Sequence, residues 1–207
     1  MLVVNAAQVK QVLFGETGVA QHLKPGTAVM VSSTIASADA QEIATALAGF
    51  DLEMLDAPVS GGAVKAANGE MTVMASGSDI AFERLAPVLE AVAGKVYRIG
   101  AEPGLGSTVK IIHQLLAGVH IAAGAEAMAL AARAGIPLDV MYDVVTNAAG
   151  NSWMFETGCV MWWMAITPRI QPSIFLLRIL VWLPIQPKPC TSRCHWLNSI
   201  EYVHQRQ

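Results

Sequence analysis

Two spacings of apolar residues share the first part of the chain. Short apolar runs at residues 2–5, 28–32, 53–59, 71–75 and 95–99 have the character of strands. Between them, residues 8–14, 37–48 and 80–92 place apolar side chains at helical steps. Gly15 and Gly18 end the first of these helices, and Asp39 and Glu42 lie near the start of the second, where carboxylates suit the positive end of a helix. Strands that alternate with helices predict an α/β fold whose sheet has parallel members and is covered on both faces.

After Gly106 the pattern changes. Residues 107–133 contain no proline and carry apolar side chains on nearly every face, which predicts one long helix buried on most sides. Lys110, His113, Gln114, His120 and Glu126 interrupt the run, so no membrane span is expected. Gly135-Ile136-Pro137 stops the helix, and residues 137–146 begin another.

Composition narrows the function classes. A chain of 207 residues with 54% hydrophobic and 14% charged residues is globular and rich in core. The net charge of -3 and the lack of any Lys/Arg cluster exclude an electrostatic footprint for nucleic acid. No basic stretch followed by an apolar core opens the chain, so a cytoplasmic location is expected. Cys159, Cys190 and Cys194 lack the paired spacing of a zinc site, and no metal is expected. Composition itself breaks at Glu156: four of the five tryptophans follow Phe155, Glu201 is the only later acid, and glycine and alanine nearly vanish.

The stretch G-L-G-S-T-V-K-I-I-H-Q, Gly104 to Gln114, is the main candidate for chemistry. A dinucleotide-binding turn needs a third glycine, but position 109 is Val. Lys110, His113, Gln114, Ala117 and His120 recur at three- and four-residue steps and so share one side of the long helix. A lysine in the first turn of a buried helix meets the positive end of the dipole and partial desolvation, and both disfavour its charged form. That suits proton transfer. The same residues also fit a lysine reaching out to solvent and histidines hydrogen-bonded in a core.

The ordered series V-V-N, S-S-T-I, D-A-P-V-S-G-G and G-L-G-S-T-V-K-I-I-H-Q resembles the β-hydroxyacid dehydrogenases over residues 2–156. The resemblance implies the C-terminal part of a Rossmann-type nucleotide-binding domain at residues 1–103, an interdomain helix at 104–134 and the start of an all-α domain at 135–156. It implies NAD or NADP as cofactor and a small hydroxy acid, such as L-threonate or a related 3-hydroxy acid, as substrate, with a homo-oligomer in the intact relative. Lys110 then matches the catalytic lysine. Ser60, Gly61 and Gly62 match the turn that holds the substrate carboxylate, and small residues there let an anion approach the backbone. Thr34 matches the motif beside the nicotinamide ribose, while Val3 and Val4 stand where the family usually has Leu-Pro at the cofactor. His113 replaces the family's usual Asn and is expected to bind a substrate hydroxyl.

Two parts of that pattern are expected to be missing. One is the first strand of the nucleotide-binding domain with its glycine-rich turn. The other is the helical domain after Glu156, because residues 157–207 match nothing in the family and form an aberrant tail. Met161-Trp162-Trp163-Met164-Ala165 has to be encoded ATG-TGG-TGG-ATG-GCN, and a shifted frame reads GTG-GTG-GAT-GGC. The product, Val-Val-Asp-Gly, is close to the family's Val-Asp-Gly-Asp, so the tail is expected to be a frameshift product and the chain an inactive fragment. The alternative is a non-catalytic fragment acting by protein or membrane association, the latter through residues 174–185.

Overall fold

The computed structural model describes residues 1–164, with the side chains of residues 159–164 left aside. Cys190, Cys194, the apolar run at 174–185 and most of the aberrant tail lie outside the described residues. In chain order the elements are α1 (Ala6–Phe14), a short 3-10 turn, β1 (Ala28–Val31), α2 (Ser37–Ala48), β2 (Glu53–Asp56), β3 (Val59–Ser60) and α3 (Gly62–Ala67). They continue with β4 (Met71–Ser76), α4 (Asp79–Val92), β5 (Ala93–Gly100), α5 (Leu105–Arg133), α6 (Leu138–Thr146) and α7 (Trp153–Met164).

The sheet is mixed. β1 and β2 are parallel from Ala28↔Glu53 to Val31↔Asp56, and β5 runs parallel to β4. β2 meets β4 antiparallel at the single pair Asp56↔Ser76, and β3 follows antiparallel at Val59↔Val73 and Ser60↔Thr72. The strand expected at 53–59 is therefore two strands. Pro58 lacks an N–H, and across it the chain loses its pairing with β1 but keeps its antiparallel register on β4, the Pro58 carbonyl accepting from Met74 N–H at 2.9 Å. The strand expected at 2–5 is also revised. Only Met1 aligns with the β1 edge, its carbonyl accepting from Ser32 N–H at 2.7 Å, after which Asn5 caps α1 by accepting from Gln8 N–H at 2.9 Å.

Both faces of the sheet are covered, because neighbouring strand residues point to opposite sides. Met54 joins Val9 and Leu13 of α1 and Ile43 and Leu47 of α2 in one core, while Leu55 joins Phe82, Leu85 and Leu89 of α4 in the other. The 3- and 4-residue steps of these helix positions are the amphipathic spacing that the sequence carries.

The long helix departs from expectation. Its buried residues are Gly106, Ser107, Lys110, Ala117, Gly118, Gly124 and Ala131, a narrow and mostly small-residue stripe. Ile112 and Leu130 are 62% and 66% exposed, so α5 is not buried on most sides. It touches α2, β2, β4 and β5 as well as α6 and α7, which leaves much of its surface without a neighbour among the described residues. By length and composition alone α5 is apolar enough to cross a membrane, a test that core helices of soluble proteins also pass.

Candidate active site

The first turn of α5 is set into the fork where β2 and β4 meet at Asp56 and Ser76. Both side chains are fully buried there. Asp56 Oδ2 accepts from the N–H groups of Gly104 and Ser107, each at 2.8 Å, and its Oδ1 accepts from Ser107 Oγ at 2.7 Å. Ser76 Oγ accepts from Gly106 N–H at 2.9 Å and donates to Asp56 Oδ2 at 3.4 Å. A helix start has unpaired N–H groups and a partial positive charge, so a strand carboxylate placed against it satisfies both needs.

The two glycines of G-L-G follow from this seat. A Cβ on Gly106 would lie 2.5 Å from the Met74 carbonyl oxygen and 2.7 Å from that of Asp56, which no side chain tolerates. Gly104 has φ 102, and a Cβ on it would stand 2.7 Å from Ser37 Oγ. The pair permits close packing of helix on sheet rather than a phosphate cradle.

Lys110 follows one turn later and is 6% exposed. No hydrogen bond or ion pair of its ammonium occurs among the described residues, and burial pushes its pKa down to about 8. The depression expected from the sequence is present, with desolvation as its cause. His113 is pushed down by burial first and by the Lys110 charge second, against a hydrogen bond with Gln114, whose Oε1 lies 3.1 Å from His113 Nδ1. His113 is exposed as a whole residue, so its burial is only partial, and His120 is half-buried; neither is a fully buried core histidine.

Ser60 ends β3 half-buried, and Gly61 and Gly62 follow at φ 143 and 69. These angles are open to glycine and strained for other residues. Nothing lies within 4 Å of where a Gly62 Cβ would stand, whereas the Lys65 stem packs over Gly61. The turn thus presents open backbone. No hydrogen bond joins it to Lys110; the two are related through β4, which pairs with Ser60 at Thr72 and holds the α5 start at Ser76.

Thr34 is half-buried beyond the C-terminal end of β1. Val3 lies beside it, its N–H donating to Ser33 Oγ at 2.8 Å, and Val4 N–H donates to Gln8 Oε1 at 2.8 Å. Both N–H groups are used inside the chain, which leaves the Val3 and Val4 carbonyls for any outside partner. Among the described residues no group of three or more His, Cys, Asp and Glu could hold a metal ion. Sequence reasoning missed Asp56, Ser76 and Ser107. The available signal was one acid in the otherwise apolar run Met54-Leu55-Asp56-Ala57-Pro58, since a charge there needs buried partners.

Residues 1–100 match the family described as the NAD binding domain of 6-phosphogluconate dehydrogenase, and residues 104–169 the NAD-binding family of NADP-dependent 3-hydroxyisobutyrate dehydrogenase, a match that runs past Glu156, where no family likeness was expected. L-threonate dehydrogenase of Escherichia coli K12 is 99% identical over 156 residues, 75% of this chain and 52% of that protein. The L-threonate dehydrogenase of Pectobacterium atrosepticum is 78% identical over 156 residues, 75% of this chain and 51% of that protein. The chain thus spans about half the length of the curated relatives it matches. A solved 3-hydroxyisobutyrate dehydrogenase from Salmonella typhimurium superposes with TM-score 0.82 at 70% identity, covering 87% of this chain and 62% of that one. The Mycobacterium tuberculosis 3-hydroxyisobutyrate dehydrogenase solved with L-serine gives TM-score 0.66 at 34% identity, covering 76% and 53%.

Proposed function

Because the chain belongs to the β-hydroxyacid dehydrogenase family, we propose that it carries the substrate-facing half of an NAD(P)-dependent dehydrogenase of small hydroxy acids. L-threonate is the proposed substrate, supported by the names of the relatives in E. coli and P. atrosepticum. The observation that carries the reading is Lys110, a buried cation with no anionic partner among the described residues and a pKa lowered to about 8. A structural lysine is normally paired or solvated, whereas a proton-transfer group needs a pKa near the working pH.

The residues fit the nicotinamide end of the cofactor. Thr34 lies beyond the end of a parallel strand, where such folds bind ligands, and Gly62 leaves open space beside the turn. No stretch of the 207 residues carries the full Gly-x-Gly-x-x-Gly pattern for the pyrophosphate. When bound, NAD(P) supplies the acceptor for the hydride that leaves the substrate carbon. Ser60 and the backbone of Gly61 and Gly62 hold the carboxylate, and His113 hydrogen-bonds a further hydroxyl. Lys110, as amine, takes the proton from the reacting hydroxyl; in the reverse direction its ammonium returns it. Thr34, Val3 and Val4 border the nicotinamide side.

The chain by itself is proposed to be an inactive, cytoplasmic fragment with a frameshifted tail after Glu156; the intact relative is proposed to be a homo-oligomer. A one-base shift of its DNA near the Glu156 codon is expected to restore a helical family domain, and no such continuation in any frame would refute this. Calorimetry is expected to find no micromolar NAD affinity for the chain alone; such affinity in a cooperatively folding preparation would overturn the fragment reading. The exposed apolar residues of α5 favour association with another protein as the second reading.

A further inference from the structure

Resting on the reading of Lys110 as the proton-transfer group, we infer that Asp56 is its positioning residue: by holding the α5 start in the β2/β4 fork, Asp56 fixes where the Lys110 side chain enters the site. Asp56 is fully buried and its carboxylate takes four donors, three of them from Gly104 and Ser107. Those two residues are the N-cap of α5 and a member of its first turn. One further turn, rigid in direction, separates them from Lys110.

The fork gives the helix no other anchor of equal reach. Ser76 holds a single N–H, of Gly106, and Ser37 Oγ donates to the Gly104 carbonyl at 2.9 Å. Gly106 itself has no side chain to hold a position by packing. Loss of Asp56 therefore frees the first turn to tilt out of the fork, and Lys110 moves with it toward water.

On α2, β2 and β5 the other charges are engaged elsewhere, while α6 and α7 add Asp139, Asp143 and Glu156 and α5 itself adds His120, Glu126 and Arg133. Asp39 and Glu42 pair with Lys10, Arg98 pairs with Asp79, and Glu53 accepts from Ser78. Lys95 lies near the Tyr97 ring. The Lys110 charge lowers the pKa of His113 on the same helix. Removing the Asp56 carboxylate by itself disfavours the Lys110 ammonium, so a rise in Lys110 titration on altering Asp56 reports the position of the lysine.

The test uses the full chain, with its lysines labelled by 13C-methylation and titrated by NMR. In the parent the Lys110 signal is expected to titrate near 8. Asp56→Asn keeps the size but replaces one acceptor oxygen by a donor, and Lys110 is expected to titrate at least about one unit higher, toward solvated lysine. Ser107→Ala removes only the hydroxyl bond to Oδ1 and is expected to move it in the same direction by less. His113→Gln, outside the fork, tests the neighbour and is expected to leave the Asp56→Asn shift in place. Unchanged Lys110 titration in a folded Asp56→Asn protein would overturn the assignment. If that variant does not fold, unchanged titration in Ser107→Ala would overturn it. No turnover is needed for this readout, so failure to oxidise a hydroxy acid leaves it standing, and a lysine insensitive to Asp56 leaves the hydroxy-acid reading standing.

Discussion

In the α/β layer Val9, Val31, Ile35, Leu55 and Val73 are wholly enclosed, whereas along α5 Ile112, Leu116 and Leu130 are 62%, 57% and 66% exposed. The residue types are alike; what differs is the number of elements within reach. β2 and β4 have strand neighbours on both edges, the sheet has helices on both faces, and the two cores divide residues as close as Met54 and Leu55 between them. Beyond its first turns α5 has α6 and α7 on one side, where Phe155 packs near Gly124 and stacks on Tyr142 at 5.9 Å. The start of α5 belongs to the enclosed regime, and the candidate site lies at that boundary.

The contrast is sharpened by four substitutions. Leu55→Ala, in the enclosed layer, is expected to cost about 2–5 kcal/mol and lower the urea midpoint of the whole chain. Lys110→Met is expected to act in the opposite direction, stabilising the fold by about 2–3 kcal/mol at neutral pH, because it removes a cation whose burial is unfavourable. The sign follows from linkage. Burial lowers the folded pKa from 10.5 to about 8, so the unfolded chain holds the Lys110 proton at pH values where the fold has released it. Stability contributed by this residue therefore rises with pH from about 8 to 10.5, and the advantage of Met shrinks across that window, as thermal melts over a pH series would read. No gain in Lys110→Met would show that the lysine is solvated.

Phe155→Ala, at a side chain only 4% exposed in a segment with few neighbours, is expected to cost about 3 kcal/mol, the low end for a buried phenylalanine. Hydrogen exchange should speed up in α6 and α7 while β1 to β5 keep their protection; equal acceleration in the sheet would mean that the two regions unfold as one. Leu116→Gln should change stability by less than about 0.5 kcal/mol. A larger loss in the urea midpoint would reveal a neighbour covering α5.

Much of this contrast is legible in the sequence where pattern is local. The 3- and 4-residue steps of α1, α2 and α4 fix their inward faces, and Gly135 with Pro137 marks the end of α5. Less legible is what depends on distant partners. Continuous hydropathy along α5 reads as burial, but burial requires elements to pack on it, and hydropathy does not count them. The break at Pro58 was visible in the letters, yet the pairing on β4 that carries on past it depends on a strand still to come. Within the site, Lys110, the open Gly62 turn and the small residues of G-L-G could be placed from motif and spacing. For Asp56 only the need for buried partners was legible; which donors meet it was not, because they lie 48 and 51 residues away.

The account turns on Lys110 as the group that moves the substrate proton. The most direct test joins residues 1–156 of this chain to the remaining segments of the E. coli L-threonate dehydrogenase and measures L-threonate-dependent NADH formation with and without Lys110→Ala. The account predicts that kcat falls at least about a hundredfold while NAD affinity changes little. Near-parent kcat in Lys110→Ala, or loss of NAD binding as its main defect, would contradict it.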